Sequence, residues 1–450
     1  MRRAFIAVLL VLVNTCVPTT LSSARGAHGT SWPLLASMSS PEPSRVTPPA
    51  PELATWERQF DNHGNADMAW DIVETPEGDW VIVGMTGPTP CQLGCNWDGW
   101  VVKTDSQGNI LWSRQLGGNG ADLLTSVILA GSNYLITGSK YVFPYARQAW
   151  LLEITPDGNL AWEKTLGGGQ DDSGNEIIAT PDSGFLLIGQ TKSFGTGDGK
   201  SDVWLVKLSA NGETLWTKTY DLGAEDMGTS IAAFAHGRFI LTAVACTGNC
   251  GGLFQQGFAS YMVIDAAGNM LKSETFNQGP KNKFLKVKAT NDRGAVIVGA
   301  TSMEEKFPSE DTWVVKLDPD ANVAWIQTLK SYGKYDGGFD IAQTPDGGYM
   351  VVGYSQVYQT PEMNFDNFCL LRLDGKGNVL WTQFWGGPDN DDARSVIPSA
   401  DGGFILAGFR DAVSWPLNAI PGPSDFYVIK TTAINNTKTF LPCITKNTYD

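Results

Sequence analysis

From about residue 54 to residue 432 the chain is a succession of short runs in which aliphatic, β-branched and aromatic residues alternate with polar ones. Between residues 71 and 115 these runs cover 71–75, 80–86, 100–105 and 109–115, separated by steps such as Asp105-Ser-Gln-Gly-Asn109. A period of two places alternate side chains on opposite faces of a strand, and the Gly-containing steps supply the left-handed residue of a tight hairpin. Outside the first 24 residues no run keeps a helical period. The pattern therefore predicts four strands in every fifty-odd residues and no helical layer.

The four-strand pattern itself repeats. A Trp in the last strand recurs at Trp56, Trp112, Trp162, Trp216, Lys272, Trp325, Trp381 and Thr439, at intervals of 50 to 58 residues. Ten or eleven residues after it stands Asp67, Asp122, Asp172, Asp226, Asn282, Asp336 or Asp392. A third series marks a hairpin turn, as in Asp292-Arg-Gly294, Asp346-Gly-Gly348 and Asp401-Gly-Gly403. Three series in one register define seven units. A repeat of this length made of strand and turn must bury its faces against its neighbours, which predicts an all-β chain, a seven-bladed β-propeller of four-stranded antiparallel blades. The chain enters on a last strand, at Trp56, and leaves after a third strand, 425–430. The ring is thus expected to be closed by the N-terminal strand, which covers an otherwise open edge.

The pattern Asp-x-Trp-x-Val-Lys-x-Asp-x-x-Gly-Asn-x-x-Trp, clearest from Asp98 to Trp112, followed by Gly-Gly-x3-Asp and by Asp-Gly-Gly-aliphatic, resembles the bacterial β-propeller repeats of the SBBP type. The resemblance covers about residues 54–432 and implies a secreted propeller without a common activity. The fourth unit departs most, with Lys272 for Trp, Ser260 and Val263 for Trp and Lys, and Ala243 for Gly.

Residues 1–24 read as a signal peptide: Arg2-Arg3, an apolar run over 4–13, then Ser22-Ser23-Ala24 as the cleavage site. A lipoprotein anchored through Cys16 is disfavoured by Asn14 and Thr15 before it. Residues 25–53 form a Pro/Ser-rich linker and 433–450 a tail. The expected location is secreted, extracellular, with no membrane span. The net charge is −15, with 47 acidic residues against 32 basic, which argues against a nucleic-acid partner. In an oxidising compartment Cys91 and Cys95, and Cys246 and Cys250, are each spaced to close a small disulfide; a zinc site built from both pairs has no nearby His to complete it. Cys369 takes a Trp position and is expected to be a buried thiol.

Candidate chemistry is sparse. The recurrent Asp67, Asp122, Asp172, Asp226, Asp336 and Asp392 could ring a channel mouth and bind a cation or polar ligand. Their recurrence favours a structural role, in which each accepts amide hydrogen bonds from its own turn. Lys103, Lys207, Lys316, Arg372 and Lys430 recur on the third strand and are expected to pair with nearby carboxylates such as Asp105, Asp318 and Asp374. Asp389, Asp391 and Asp392 offer hard oxygen ligands for calcium, against a solvated turn; no other cofactor is predicted.

The connections between second and third strands vary most and carry Trp97, Phe143, Tyr145, Phe194, Phe254, Phe307, Tyr358 and Trp415, whose faces could stack on a sugar or peptide or fold down over blade ends. Beyond the leader only His63 and His236 remain, apart from His28 in the linker, and no Gly-x-Ser-x-Gly elbow occurs. The reading that results is a non-catalytic binding module for an extracellular glycan or protein. The alternatives are a polysaccharide hydrolase or lyase using loop carboxylates at the channel mouth, and a structural cell-surface component.

Overall fold

The computed structural model describes residues 53–88, 96–142, 146–223, 225–246, 257–277, 279–302, 310–329, 336–356, 366–386, 389–412 and 424–433. Among them are 28 strands and one 3₁₀ turn, Ala235–Gly237, and no α-helix. The strands form antiparallel units of four. In unit I (66–116) they are Ala66–Glu74, Trp80–Gly87, Asp98–Thr104 and Ile110–Leu116, paired in chain order. Units II (123–166), III (172–220) and VI (336–385) repeat this order as separate sheets. Units IV (225–276) and V (281–329) count as one eight-stranded sheet because a single parallel pair, Gly257 with Lys281, joins them. The last sheet, unit VII, is assembled from both ends of the chain: Asn390–Pro398, Phe404–Ala412 and Asp425–Thr431 take Ala54–Phe60 as their fourth strand, with Glu57 opposite Ile429 and Phe60 opposite Phe426.

The core lies between units. Ile72, Trp80, Ile82 and Trp100 of unit I pack against Ile405, Ala407, Phe426 and Val428 of unit VII. Val81, Val83 and Val101 of unit I meet Tyr134, Ile136, Trp150 and Leu152 of unit II. Second and third strands are covered on both faces, so they read as near-continuous apolar runs, whereas fourth strands alternate between exposed and half-buried positions. Each fully buried aliphatic or aromatic side chain contributes about 1.5–3 kcal/mol relative to exposure.

The repeated Trp secures the contact between neighbours. Trp112 of unit I lies on Gly158 in the last hairpin of unit II and donates its indole N–H to the Pro156 carbonyl at 2.8 Å. Gly158 has a φ of +79°, and a Cβ there would stand 2.7 Å from the ring, so both conformation and space demand glycine. Trp162, Trp216 and Trp325 meet Gly212, Gly268 and Gly377 in the same way, and Trp56 of the N-terminal strand meets Gly108 of unit I. Unit IV departs at both partners: Lys272 replaces the Trp, Ala321 with φ 60° replaces the Gly, and the Lys272 ammonium bonds the Ala321 carbonyl. The irregular unit is a compensated one.

First strands are longer than the alternation predicts, starting in unit I at Ala66 rather than 71. A β-bulge is the reason. The register shifts between Ala69 and Asp71, and equivalent shifts occur in the first strands of the other units, as at Gly174/Glu176, Phe284/Lys286 and Ala393/Ser395. One extra residue exchanges the faces and erases the period of two. The residue after the bulge then bonds the next unit. Asp71 accepts from the Val127 amide at 3.0 Å, Glu176 from Ile231 at 2.9 Å, Ser230 from Val287 at 3.0 Å and Asp340 from Val396 at 3.0 Å. Ser395 donates to Asp71 at 2.9 Å, linking unit VII to unit I. Lys286 pairs with Glu176, two units away, at 2.7 Å, so the first strands converge.

Candidate functional site

The Asp series is a set of structural brackets. Asp122 and Asp172 accept the amides of Gly118 and Gly168 in their own turns, both at 2.8 Å, while Asp67 and Asp226 accept those of Asn62 at 2.7 Å and Leu222 at 2.6 Å. A second-strand hydroxyl completes the bracket at Asp172 (Thr191, 2.5 Å) and Asp336 (Ser355, 2.5 Å). All of these carboxylates are buried. In unit VII the position belongs to Asp391 rather than Asp392: Asp391 lies beside Gly386 as Asp172 lies beside Gly167, while Asp392 is paired with Phe409 one step along. The bulge-rich start of that strand hides the register.

Two brackets carry extra acid. Asp61, Asp67 and Asp425 bring carboxylate oxygens within 4.8 Å of one another, and Asp202, Asp221 and Asp226 do the same at the equivalent place. Burial, with the charges of Asp61 and Asp425, pushes the Asp67 carboxyl up to about 7. Asp61 and Asp221 stand where Gly117, Gly167 and Gly386 stand in other units.

The cation series is structural too, with partners other than those expected. Lys207, Lys316, Arg372 and Lys430 reach back to the first hairpin, to Asp182 at 2.8 Å, Asp292 at 2.8 Å, Asp346 at 2.6 Å and Asp401 at 2.7 Å, and Lys103 reaches Asp79 at 3.4 Å. Asp105, Asp318 and Asp374 instead accept amides within their own turns. The Lys207 hydrogen bond holds Asp182 down to about 2.

Of the loop aromatics, Trp97 is buried on Gly87 and bridges to Ala121, closing a blade end, so it presents no free face. Phe194 is 47% exposed and leans on Trp204 with ring centroids 5.6 Å apart. Phe143, Tyr145, Phe254, Phe307, Tyr358 and Trp415 lie outside the described residues, as do Cys91, Cys95 and Cys250; Cys246 ends its strand. Cys369 is a buried free thiol, as its Trp position suggests.

The departures from the repeat gather elsewhere, on one face of units V, VI and VII. One residue past the Asp series stands Met68, Leu123, Ser173 or Met227 in units I to IV, but Lys283, Gly337 and Asp392 in units V to VII. Just before the third strand proper stands Trp97, Ser201, Gly257 or Ser424 in units I, III, IV and VII, but Arg147 in unit II and Glu310 and Asp366 in units V and VI. The bulge residue is Thr125 or Thr229 in units II and IV, Arg394 in unit VII. Gly337 clears the way for the Tyr354 ring, which a Cβ would approach to 2.5 Å, and the Tyr354 hydroxyl donates to Glu310 at 2.8 Å. Glu310 also pairs with Lys283 at 3.2 Å and Lys281 at 3.9 Å. Arg394 holds Asp392 at 2.6 Å, with its guanidinium 3.9 Å from the Phe339 ring centroid, 4.7 Å from that of Trp70 and 5.2 Å from that of Phe409.

Charge in this cluster is set by burial. Lys283 and Lys281 hold Glu310 below the ordinary carboxylate range despite its burial. Burial and the neighbouring Asp392 push Asp366 well up; burial also raises Asp392, against the pull of Arg394. Burial and Glu310 push the Tyr354 phenol well up, which keeps it neutral and donating. Asp392 Oδ1 and the Trp70 indole N–H are buried with no hydrogen-bond partner. Periodicity concealed all of this except Asp392. Aligning the seven units on the bulge and reading the non-repeating charges would have exposed Lys283, Glu310, Asp366 and Arg394.

No family model matches the chain, and no curated protein matches it by sequence. Among solved structures, an ulvan lyase of a polysaccharide lyase family aligns over 84% of this chain and 97% of its own, at 11% identity and a TM-score of 0.52. An ulvan lyase bound to a GlcA(1-4)Rha3S unit aligns over the same shares, at 10% identity and a TM-score of 0.51. The fold is a β-propeller. Likeness at such identity fixes the architecture alone. A virginiamycin B lyase from Staphylococcus aureus aligns over 83% of this chain and 99% of its own, at 9% identity and a TM-score of 0.49. Among the described residues of the propeller no helix is long and apolar enough to cross a membrane.

Proposed function

We propose that the chain is a secreted, seven-bladed propeller of SBBP-like repeats, closed by the strand Ala54–Phe60, that binds an extracellular glycan without turning it over. The blade count rests on units I to VII, with units IV and V sharing only the Gly257–Lys281 pair. Closure is supported by the four-stranded register of unit VII and by the Ser395–Asp71 bond. Secretion rests on the leader and on the Cys-x3-Cys pairs, which are proposed to be disulfides.

The observation that carries the binding reading is the gathering of Lys283, Glu310, Tyr354, Asp366, Asp392 and Arg394 on three consecutive units, where units I, III and IV place uncharged residues such as Met68, Ser173, Ser201, Met227 and Thr229. Buried charges destabilise a scaffold unless balanced, and a repeat that can do without them at the same positions has no packing reason to keep them. Polar donors and acceptors beside the Trp70 and Phe339 rings suit a hydroxyl-rich ligand with an apolar face. A glycan array probed with the purified protein tests this reading: binding above background that Arg394→Thr abolishes is expected, and an array without a hit would refute it.

The two neighbouring buried carboxyls Asp366 and Asp392, both pushed up by burial, carry a second reading, a polysaccharide hydrolase or lyase in which one serves as acid and the other as base. Release of reducing ends from a bound polysaccharide would select it over binding alone.

A further inference from the structure

We propose that unit VII has two fourth strands to draw on: residues 437–443 compete with Ala54–Phe60 for the edge of Asp425–Thr431, so that the ring can be closed from either end of the chain. Residues 434–450 lie outside the described residues, and the first ground is their register in the repeat. Lys430-Thr-Thr-Ala-Ile-Asn-Asn-Thr-Lys-Thr439 runs in step with Glu153-Ile-Thr-Pro-Asp-Gly-Asn-Leu-Ala-Trp162 of unit II. Thr432 thus takes the place of Thr155, Asn435 that of Gly158 and Asn436 that of Asn159. The left-handed place of this hairpin is held by Gly108, Gly158, Gly212, Gly268 and Gly377, with φ between +70° and +82°, and by Ala321 with φ 60°. Asn tolerates that conformation better than other side chains do, because its short amide bonds locally. The step that follows Asp425–Thr431 is therefore written as the hairpin that leads into the fourth strands of units I to VI.

The second ground is a hydrogen bond whose acceptor has been exchanged. At the head of this hairpin an amide donates to the carbonyl four residues on: Asp105 to Asn109 at 2.9 Å, Thr155 to Asn159 at 2.9 Å, Ser209 to Glu213 at 2.8 Å and Asp374 to Asn378 at 2.9 Å. In unit VII the Thr432 amide donates instead to the Leu53 carbonyl at 2.7 Å. Leu53 precedes Trp56 by the same interval at which Asn109 precedes Trp112. It fills the place that the register gives to Asn436, and only one of the two segments can pair with Asp425–Thr431 at a time. The third ground is the balance between them. Trp56 lies against Gly108, its ring 3.1 Å from where a Cβ would stand, and Phe60 is buried opposite Phe426. The tail has Thr439 and Cys443 at those positions, and Pro442 where Gln59 stands, a residue that only an edge strand accepts. Its smaller side chains bury less apolar area, so Ala54–Phe60 holds the edge and the tail takes it when that strand lifts. The exchange keeps the blade edge covered while it frees the N-terminal strand and the linker before it.

Limited trypsin digestion of the purified chain, read by mass spectrometry, follows the exchange, because Arg58 lies in one segment and Lys438 in the other. The parent is expected to be cut rapidly after Lys438 and slowly after Arg58. Removing residues 434–450 takes away the competitor, so cleavage after Arg58 should slow about three-fold or more, in proportion to the population of the lifted strand. Thr439→Trp installs the residue that meets Gly108 and should speed cleavage after Arg58 about ten-fold or more while protecting Lys438. Parent-like rates after Arg58 in both variants, with Lys438 still cut in Thr439→Trp, would overturn the proposal. A second measurement uses the chain without residues 54–60. There Thr439→Trp should raise the melting temperature by about 5 °C or more, or restore a folded state to a chain that has lost it. No gain from Thr439→Trp in that chain would overturn the proposal as well.

Discussion

Units I–III and units V–VII are built on the same register, yet they spend their equivalent positions differently. At the second-strand site after the conserved Gly, units I to III carry Met85, Ser139 and Gln190, and units V to VII carry Ala300, Tyr354 and Phe409. On the first side the surrounding residues are uncharged in units I and III, with Arg147 beside Asp171 the charged exception in unit II; on the second they form a chain of bonds from Lys283 through Glu310 to Tyr354, beside Arg394 and Asp392. A repeat shows by its periodic residues what a blade requires. The residues that fall out of period mostly on one side need another cause, and the ligand recognition proposed above is one.

That comparison can be broken most severely at the seam. Removing residues 54–60 takes the fourth strand from unit VII, together with Phe60 and the Trp56 contact on Gly108. Thermal melting should show the truncated protein losing about 10 °C or more, or failing to fold. An unchanged melting temperature would mean that the seam is dispensable and that units I and VII are not held as the two sides require.

A smaller effect separates the two sides directly. Gly337→Ser introduces the side chain that Ser173 contributes in unit III, but here its Cβ meets the Tyr354 ring. Urea unfolding should register a cost of about 1–3 kcal/mol. Ser173→Gly, the reverse exchange on the other side, should cost about 1 kcal/mol or less. Equal costs would remove the distinction between the sides.

Acid–base behaviour sharpens it further. The folded-state pKa of Asp67 is raised to about 7, so the folded state holds a proton that the unfolded chain releases from about 4 upward. Its contribution is therefore most favourable at low pH and is lost as pH rises through 7. Asp67→Asn, the residue that Asn282 supplies in unit V, should flatten the decline in stability between about pH 4 and about pH 7. A variant with the parent's slope would place the titration elsewhere. The smallest effect is expected at Asp182, whose side chain is 61% exposed: Asp182→Asn should cost well under about 1 kcal/mol in urea, despite the contact with Lys207.

The fold was legible because its requirements recur. The Trp112–Gly158 contact recurs at five interfaces and the Lys316–Asp292 pair within five units, and three periodic series sufficed to place the strands. The bulge was not legible, because one inserted residue cancels the alternation that reveals a strand; Trp70 and Asp71 then look like one polar–apolar step instead of a turn of the register. The candidate site was hidden for a related reason. Recurrent Asp residues drew attention to brackets that only hold turns, and the loop aromatics to Trp97, which closes a blade end. Lys283, Glu310 and Arg394 occur once each and are far apart in the chain, so only the stacking of consecutive units brings them together.

The claim that this one-sided cluster is the binding site is tested most directly by making it resemble the other side. A variant combining Lys283→Met, Glu310→Ser and Arg394→Thr installs residues that the repeat already uses at those positions, as in Met227, Ser201 and Thr229. Measured on the glycan that the parent protein binds, the affinity should fall at least ten-fold while the melting temperature stays within a few degrees. Undiminished affinity in the folded variant would contradict the assignment.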